Sequence, residues 1–214
     1  MLKIIDSSSD NLPSIATCHK LAFRHSLSSA LGIPFLIKML SWYLCNDHAF
    51  LFHLEFKGKI IGYCGGIIVD GTQSTGSASG MTQHSFNMAI IAFLKKPWLL
   101  FHPEVRNKYK LISRNILYKL KIKKPAKQNS KITLKEIMHV GLVVIGINPA
   151  FQGKGYSKMI LGEFEQRAKN MGAKEVRLTV LSDNKTAIEA YKKNGWQEDK
   201  ALSNSISMFK IINA

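Results

Sequence analysis

Apolar positions along this chain switch between a helical and an extended period several times. Leu2–Ile5 reads as a first strand, and Asp10 is placed to cap a helix running to about Ser26, with Pro13 in its first turn. Leu31–Leu44, rich in Leu, Ile, Met and aromatic residues, predicts a second helical stretch. Two β-like runs, Ala49–Phe56 and Lys59–Val69, flank Lys57-Gly58, which predicts a hairpin turn. Asp70–Gly80 is Gly, Ser and Thr without periodicity and predicts a loop.

The second half is patterned more sharply. Ile137–Ile147 predicts a strand, apolar at both parities from Val140 onward and therefore expected to be buried on both faces. A turn over Asn148–Gly155 leads into a helix over Tyr156–Met171, with Ile160, Leu161, Phe164 and Ala168 on one side. Lys174–Leu181 alternates at Val176, Leu178 and Val180 and predicts a strand. Asp183 or Asn184 then caps a short helix ending at Asn194-Gly195, and Ser205–Ile211 predicts the last strand. The expected fold is α/β with a mixed sheet, residues 1–214 forming one domain whose second half runs β–α–β–α–β.

Residues 81–135 differ from what flanks them and read as a helical insertion before the motif strand. A helix around His84–Leu94 is followed by Pro97 and Pro103, and from Glu104 apolar residues recur at Val105, Tyr109, Ile112, Ile116 and Leu120. Of the net charge of +16, the stretch from Lys95 to Lys135 carries +12, with 13 Lys and Arg against one acid, Glu104. The rest of the chain is only mildly basic, at +4. A surface for an anionic partner fits this segment: a membrane surface, or an anionic or lipid-linked substrate. No nucleic-acid-reading motif accompanies the charge.

Composition narrows the class further. At 46% hydrophobic residues, 214 residues can build a sizeable core. Cys18, Cys45 and Cys64 are odd in number and have no metal-ligand spacing, so neither a metal nor a disulfide framework is expected. Reduced cysteines and the lack of an apolar leader after Met1–Asp6 fit a cytoplasmic setting, peripheral to a membrane if residues 95–135 touch one. The longest apolar run, Met88–Leu94, falls far short of the roughly 20 residues a spanning helix needs. A homo-oligomer is compatible with all of this.

Chemistry concentrates in Gln152-Gly153-Lys154-Gly155-Tyr156-Ser157. Two glycines let the backbone turn tightly and approach a ligand, and the following helix aims free N–H groups and its positive dipole end into the turn. Such a turn suits a diphosphate. A Walker loop is excluded because Gly155 stands where Ser or Thr must follow the Lys, and a dinucleotide loop because Lys158 stands at its third glycine.

This motif, with Ile147 and Pro149 before it, resembles the [Gln/Arg]-x-x-Gly-x-[Gly/Ala] signature of the GNAT N-acetyltransferases through Gln152, Gly155 and Ser157. Ser157 departs from Gly or Ala but stays small. A second block, Asp183–Ala187 through Tyr191–Trp196, is similar to the family's N-x-x-A…Y-x-x-x-G-F element, with Trp for Phe. The resemblance covers 137–197, which it implies to be an acetyl-CoA-binding core. It implies a fold whose two central strands splay, with the pantetheine arm between them and bonded to the main chain of Ile145, Gly146 and Ile147. Backbone N–H groups of Gln152, Gly153, Lys154, Gly155, Tyr156 and Ser157 would hold the pyrophosphate, with Asn184 alongside. The implied reaction moves an acetyl group from acetyl-CoA to an amine acceptor by direct attack in a ternary complex. An amino sugar or another anionic or lipid-linked amine is among the acceptors. The Ile147 amide would donate to the oxyanion and Tyr191 would protonate the leaving thiolate. Some relatives carry a Glu base where Gly141 stands here, which leaves His139, Glu136 or a water chain for that role. A CoA-binding module without catalysis, or a basic membrane- or nucleic-acid-associated adaptor, are the alternatives.

Overall fold

The computed structural model describes residues 1–70, 77–106 and 138–212. Among the described residues, seven strands form one sheet in the order β1-β2-β3-β4-β5-β7-β6: β1 Leu2–Asp6, β2 Ala49–Phe56, β3 Lys59–Val69, β4 His139–Ile147, β5 Glu175–Leu181, β6 Gln197–Ala201 and β7 Ser205–Ile211. All neighbouring pairs are antiparallel except β4 and β5, which are parallel. The expected mixed-sheet α/β class holds. The helices are α1 Leu12–Ala22, α2 Leu27–Leu31, α3 Ile33–Ser41, α4 Ser77–Lys95, α5 Pro103–Arg106, α6 Tyr156–Asn170 and α7 Lys185–Lys193. Two apolar layers sandwich the sheet. One joins α6 and α7 to β2–β5 and β7 through Phe52, Ile160, Phe164, Val176 and Met208. The other joins α1, α3 and α4 to β3 through Ile15, Leu36, Leu40, Tyr43 and Tyr63.

Several boundaries differ from the sequence expectation, each for a local reason. The helix expected from Asp10 to Ser26 starts at Leu12, after Ser8 donates from its N–H and Oγ to Asn11 Oδ1 (2.9 and 3.0 Å). It ends at Ala22, and a new helix begins at Leu27, where Ser26 Oγ accepts from the Ser29 N–H. The stretch 31–44 is interrupted at Gly32, whose φ of 106° ends α2, and closes in a 3-10 turn over Trp42–Leu44. The loop expected over Asp70–Gly80 already belongs to α4 from Ser77. Tertiary packing overrides weak propensity there: a Cβ on Gly80 would lie 3.0 Å from the Trp42 indole nitrogen, so only glycine lets the helix sit this close. Lys57 and Gly58 (φ 50° and 75°) do form the hairpin turn. Strand β6 has no apolar alternation and escapes sequence reading; every residue in it is exposed, as suits a charged sheet edge.

Residues 81–106, the described part of the basic segment, are built into the second apolar layer. Ala92, Leu99 and Val105 are buried, and α4 packs on α3. The remainder of that segment, with Glu136, lies outside the described residues.

Candidate active site

Two strands that part company define the centre of the molecule. Strand β4 pairs with β3 along its whole length, but with β5 only from Val140 to Leu142, opposite Val176 to Leu178. Beyond Leu142 it runs on to Ile147 with no described pairing to β5. The cause sits in the register with β3. Gly65 faces Val144 and Gly66 faces Leu142, so Val143 is an extra residue, a bulge that bends β4. The expected burial of β4 on both faces therefore fails over Val143–Ile145 and at Ile147, which are half-buried because a neighbouring strand is missing.

The main chain of β4 faces this gap at defined residues. The Asn148 N–H donates to the Ile61 carbonyl on β3 (2.8 Å). Strand alternation then turns the N–H and C=O of Ile147 and Ile145 away from β3, toward the gap, and those of Gly146 toward β3. The Ile147 carbonyl accepts from Gln152 Nε2 (3.1 Å), so the first residue of the motif ties the turn to the strand end. Gly146 cannot be another residue, since an added Cβ would lie 2.5 Å from Tyr63 Cε1 and 3.1 Å from Phe23.

After β4 the chain turns sharply. Asn148 Oδ1 accepts from the Ala150 N–H, Pro149–Phe151 form a 3-10 turn, and Gly153 and Gly155 adopt φ of 74° and 80°. Both glycines are dictated by conformation rather than space, since an added Cβ at either would meet nothing within 4 Å. The exposed turn delivers the chain into α6, whose first N–H groups have no acceptor one turn earlier. Lys154 Nζ donates to the Ala150 carbonyl (3.3 Å) over the Phe151 ring, and Tyr156 and Ser157 open the helix half-buried. Glycines on β3 draw α6 close: a Cβ on Gly62 would lie 2.8 Å from Ile160 Cδ1, and one on Gly66 2.9 Å from Phe164. The anion-friendly helix end is thereby held at the mouth of the gap.

Helix α7 packs into the same apolar layer as α6, with Ile188 buried there. Asn184 caps it, its Oδ1 accepting from the Ala187 N–H (3.2 Å). Tyr191 is half-buried with its ring 5.9 Å from Trp196. Burial, with a smaller contribution from the Cys64 thiol, pushes the Tyr191 hydroxyl up to about 12. Cys64 stands opposite Ile145, so Tyr191 is brought toward the stretch of β4 that lacks a partner.

His139 is not brought there. It begins β4 opposite Val69, half-buried on the face of Gly141 and Val143, six residues or roughly 20 Å from Ile145. Glu136 lies outside the described residues. Among the described residues no group of His, Cys, Asp and Glu could hold a metal. A depression of about 280 Å³ opens beside Asn148, lined by Thr17, Cys18 and Lys59, under the strand end rather than in the gap.

One arrangement near the gap escaped sequence reading. His19 Nδ1 lies 2.5 Å from Tyr63 Oη, and His19 Nε2 lies 3.0 Å from Ser28 Oγ, itself 2.9 Å from Ser26 Oγ. This chain of hydrogen bonds leads from half-buried serines to a fully buried tyrosine packed on Gly146. Burial lowers His19 to about 4, so its imidazole is neutral. Its only sequence signal was a histidine on the apolar side of a helix.

Residues 131–196 match the model of the Acetyltransferase (GNAT) family. Over 53 residues the chain is 38% identical to the uncharacterized N-acetyltransferase YycN of Bacillus subtilis (strain 168), covering 25% of this chain and 34% of that protein. The family likeness is carried by residues 131–196. Over 83 residues it is 30% identical to the uncharacterized N-acetyltransferase MJ1207 of Methanocaldococcus jannaschii, covering 39% of this chain and 36% of that one. The matches thus span about a third of the length of these curated relatives. The GNAT fold extends over the whole chain. The PaiA N-acetyltransferase of Thermoplasma acidophilum, solved in complex with coenzyme A, superposes with a TM-score of 0.59 at 13% identity, covering 99% of each chain. The ribosomal-protein-S18-alanine N-acetyltransferase of Escherichia coli gives a TM-score of 0.57 at 13% identity, over 100% of this chain and 96% of that one. At such identities the likeness concerns the fold alone.

Proposed function

We propose that this protein is a GNAT enzyme that transfers an acetyl group from acetyl-CoA to the amine of a small or lipid-linked acceptor, by direct attack in a ternary complex. The observation that carries the reading is the gap between β4 and β5, with Ile145 and Ile147 main-chain groups facing it and the free N–H groups of α6 at its mouth. A pantetheine arm, which carries two amides, fits there as a surrogate strand. A pyrophosphate fits the turn Gln152–Ser157, where nothing crowds Gly153 or Gly155. Asn184, already committed to its helix cap, would stand alongside the bound cofactor.

The chemistry follows from these positions. An amine attacks only when neutral, and an ordinary primary amine holds its proton to about pH 10.4, so the proton leaves through water. As nitrogen adds to the thioester carbonyl, the oxygen gains charge, which the Ile147 N–H meets. The C–S bond then breaks and Tyr191 protonates the thiolate. A free thiol titrates near 8.5, so this proton would climb about 3.5 units, or about 5 kcal/mol, if the thiolate were in water. A thiolate buried beside Tyr191 is desolvated too, which raises its own proton affinity and narrows the difference.

The strong positive charge of 95–135 supports an anionic acceptor such as an amino sugar carried on a phosphate or a lipid. The direct test is calorimetric titration with acetyl-CoA, followed by a screen of amines that reads free thiol release. Micromolar binding and amine-dependent release are expected. Binding without release from any amine would favour a CoA-binding module without catalysis, and no binding would sink the proposal.

A further inference from the structure

The C-terminal half of helix α4 is apolar at every position from Met88 to Leu94, and a helical segment apolar all round is ordinarily enclosed by protein or lipid. One side is accounted for: Ala92 is buried, Met88, Ala89 and Phe93 pack on the second apolar layer, and Leu99 continues the contact beyond Pro97. The other side faces outward. Ile90 and Ile91 lie one helical turn before Leu94, and Trp98 and Phe101 extend the line through the 3-10 turn Pro97–Phe101, where residues three apart eclipse. Leu94 is 78% exposed, Trp98 62% and Phe101 76%. A continuous row ending in an indole and a phenyl ring exceeds the scattered exposure of a surface that meets only water.

Charge says what covers this row. No Asp or Glu occurs from 71 to 103, and Lys95 and Arg106 are exposed beside the row. Lys96 turns inward to the Ala30 carbonyl (2.9 Å), and the one acid, Glu104, accepts from the Leu27 N–H (2.8 Å). The sequence through Lys135 keeps this sign, at +12. Apolar and aromatic side chains flanked by Lys and Arg, with acids absent, complement the headgroup boundary of a negatively charged bilayer. No described helix is long and apolar enough to cross one, so the contact would lie along the surface. We infer that Ile90, Ile91, Leu94, Trp98 and Phe101 form a docking face for an anionic lipid surface. This goes beyond the acetyl-transfer reading and does not depend on it.

Tryptophan fluorescence supplies a built-in reporter, because Trp98 is exposed while Trp42 and Trp196 are 7% and 2% exposed. Vesicles of phosphatidylcholine containing phosphatidylserine are added to the full-length protein at low salt, and emission is followed together with flotation. The expected result is a blue shift with co-flotation, and an affinity lowered about tenfold for each of Leu94→Ser and Phe101→Ser. Raising the salt is expected to weaken binding. Both substitutions lie at exposed positions, and circular dichroism verifies that they leave the fold intact. No shift and no flotation at low salt would overturn the inference. Equal binding to pure phosphatidylcholine would overturn its anionic part. A concentration-dependent dimer that Leu94→Ser disperses, with no vesicle binding, would assign the face to a second copy of this chain instead. Thiol release measured without vesicles tests the acetyl-transfer reading separately.

Discussion

Replacing His19 with glutamine should flatten the acid side of the stability curve. His19 is 5% exposed, and burial lowers its imidazole from an ordinary 6.5 to about 4. Its nitrogens are spent on Tyr63 and Ser28, and it packs on the Phe23 ring with a centroid distance of 4.8 Å. Because the folded value is depressed, the unfolded chain takes up the proton first as pH falls. The stability involved is whole above about 6.5 and drains away as pH drops through 4. A shift of about 2.5 units is worth about 3 kcal/mol in full, with about 2 kcal/mol already lost at pH 5. His19→Gln keeps a donor and an acceptor but no titration. It should be less stable than wild type by about 1–3 kcal/mol at pH 7.5, through poorer hydrogen bonding to Tyr63, with that deficit shrinking toward pH 4.5. Urea unfolding followed by far-UV circular dichroism across this range measures both curves. His53 and His84 are also lowered by burial, and they titrate equally in the two proteins, so the difference isolates His19. Parallel curves would refute the buried neutral imidazole.

Three further outcomes bear on the site and its support. Among the described residues, Tyr43 Oη is the buried side-chain polar atom without a hydrogen-bond partner, so Tyr43→Phe should raise stability by about 1 kcal/mol, and a lower urea midpoint would contradict that. Gly155→Val places a β-branched residue at φ 80°, which should cost about 1–2 kcal/mol of stability and at least tenfold in acetyl-CoA affinity by calorimetry; unchanged affinity would remove the turn from the proposed pyrophosphate site. Tyr191→Phe should lower kcat by about 10²-fold with little change in KM for acetyl-CoA, and an unaltered kcat would dismiss it as the acid.

How much of this was legible beforehand depends on how local the deciding physics is. Gly153 and Gly155 need left-handed backbone, Asn184 needs only the amide three residues on, and α6 follows from the spacing of Ile160, Leu161, Phe164 and Ala168. Such features are decided within one or two turns of chain, so the turn and its helix could be read from residue order. The placing of Tyr191 toward Ile145 could not, because it depends on α7 crossing a sheet whose order departs from chain order. Nor could the close seat of α4 at Gly80 against the distant Trp42 ring, or strand β6, whose charged residues carry no period.

Sequence alone determined the alternation of elements, the glycine turn at Gln152–Ser157, the capped helix after β5 and the one-sided charge of 95–135. Tertiary structure decided the gap itself. Nothing in the run Gly141–Ile147 says that Val143 will bulge, because a bulge exists only relative to a partner strand. The same holds for Gly146, which is a glycine because Tyr63 and Phe23 occupy the volume a side chain would need. Packing between distant segments sets both, and it is packing that turns a legible motif into a cleft with two free main-chain edges at its heart.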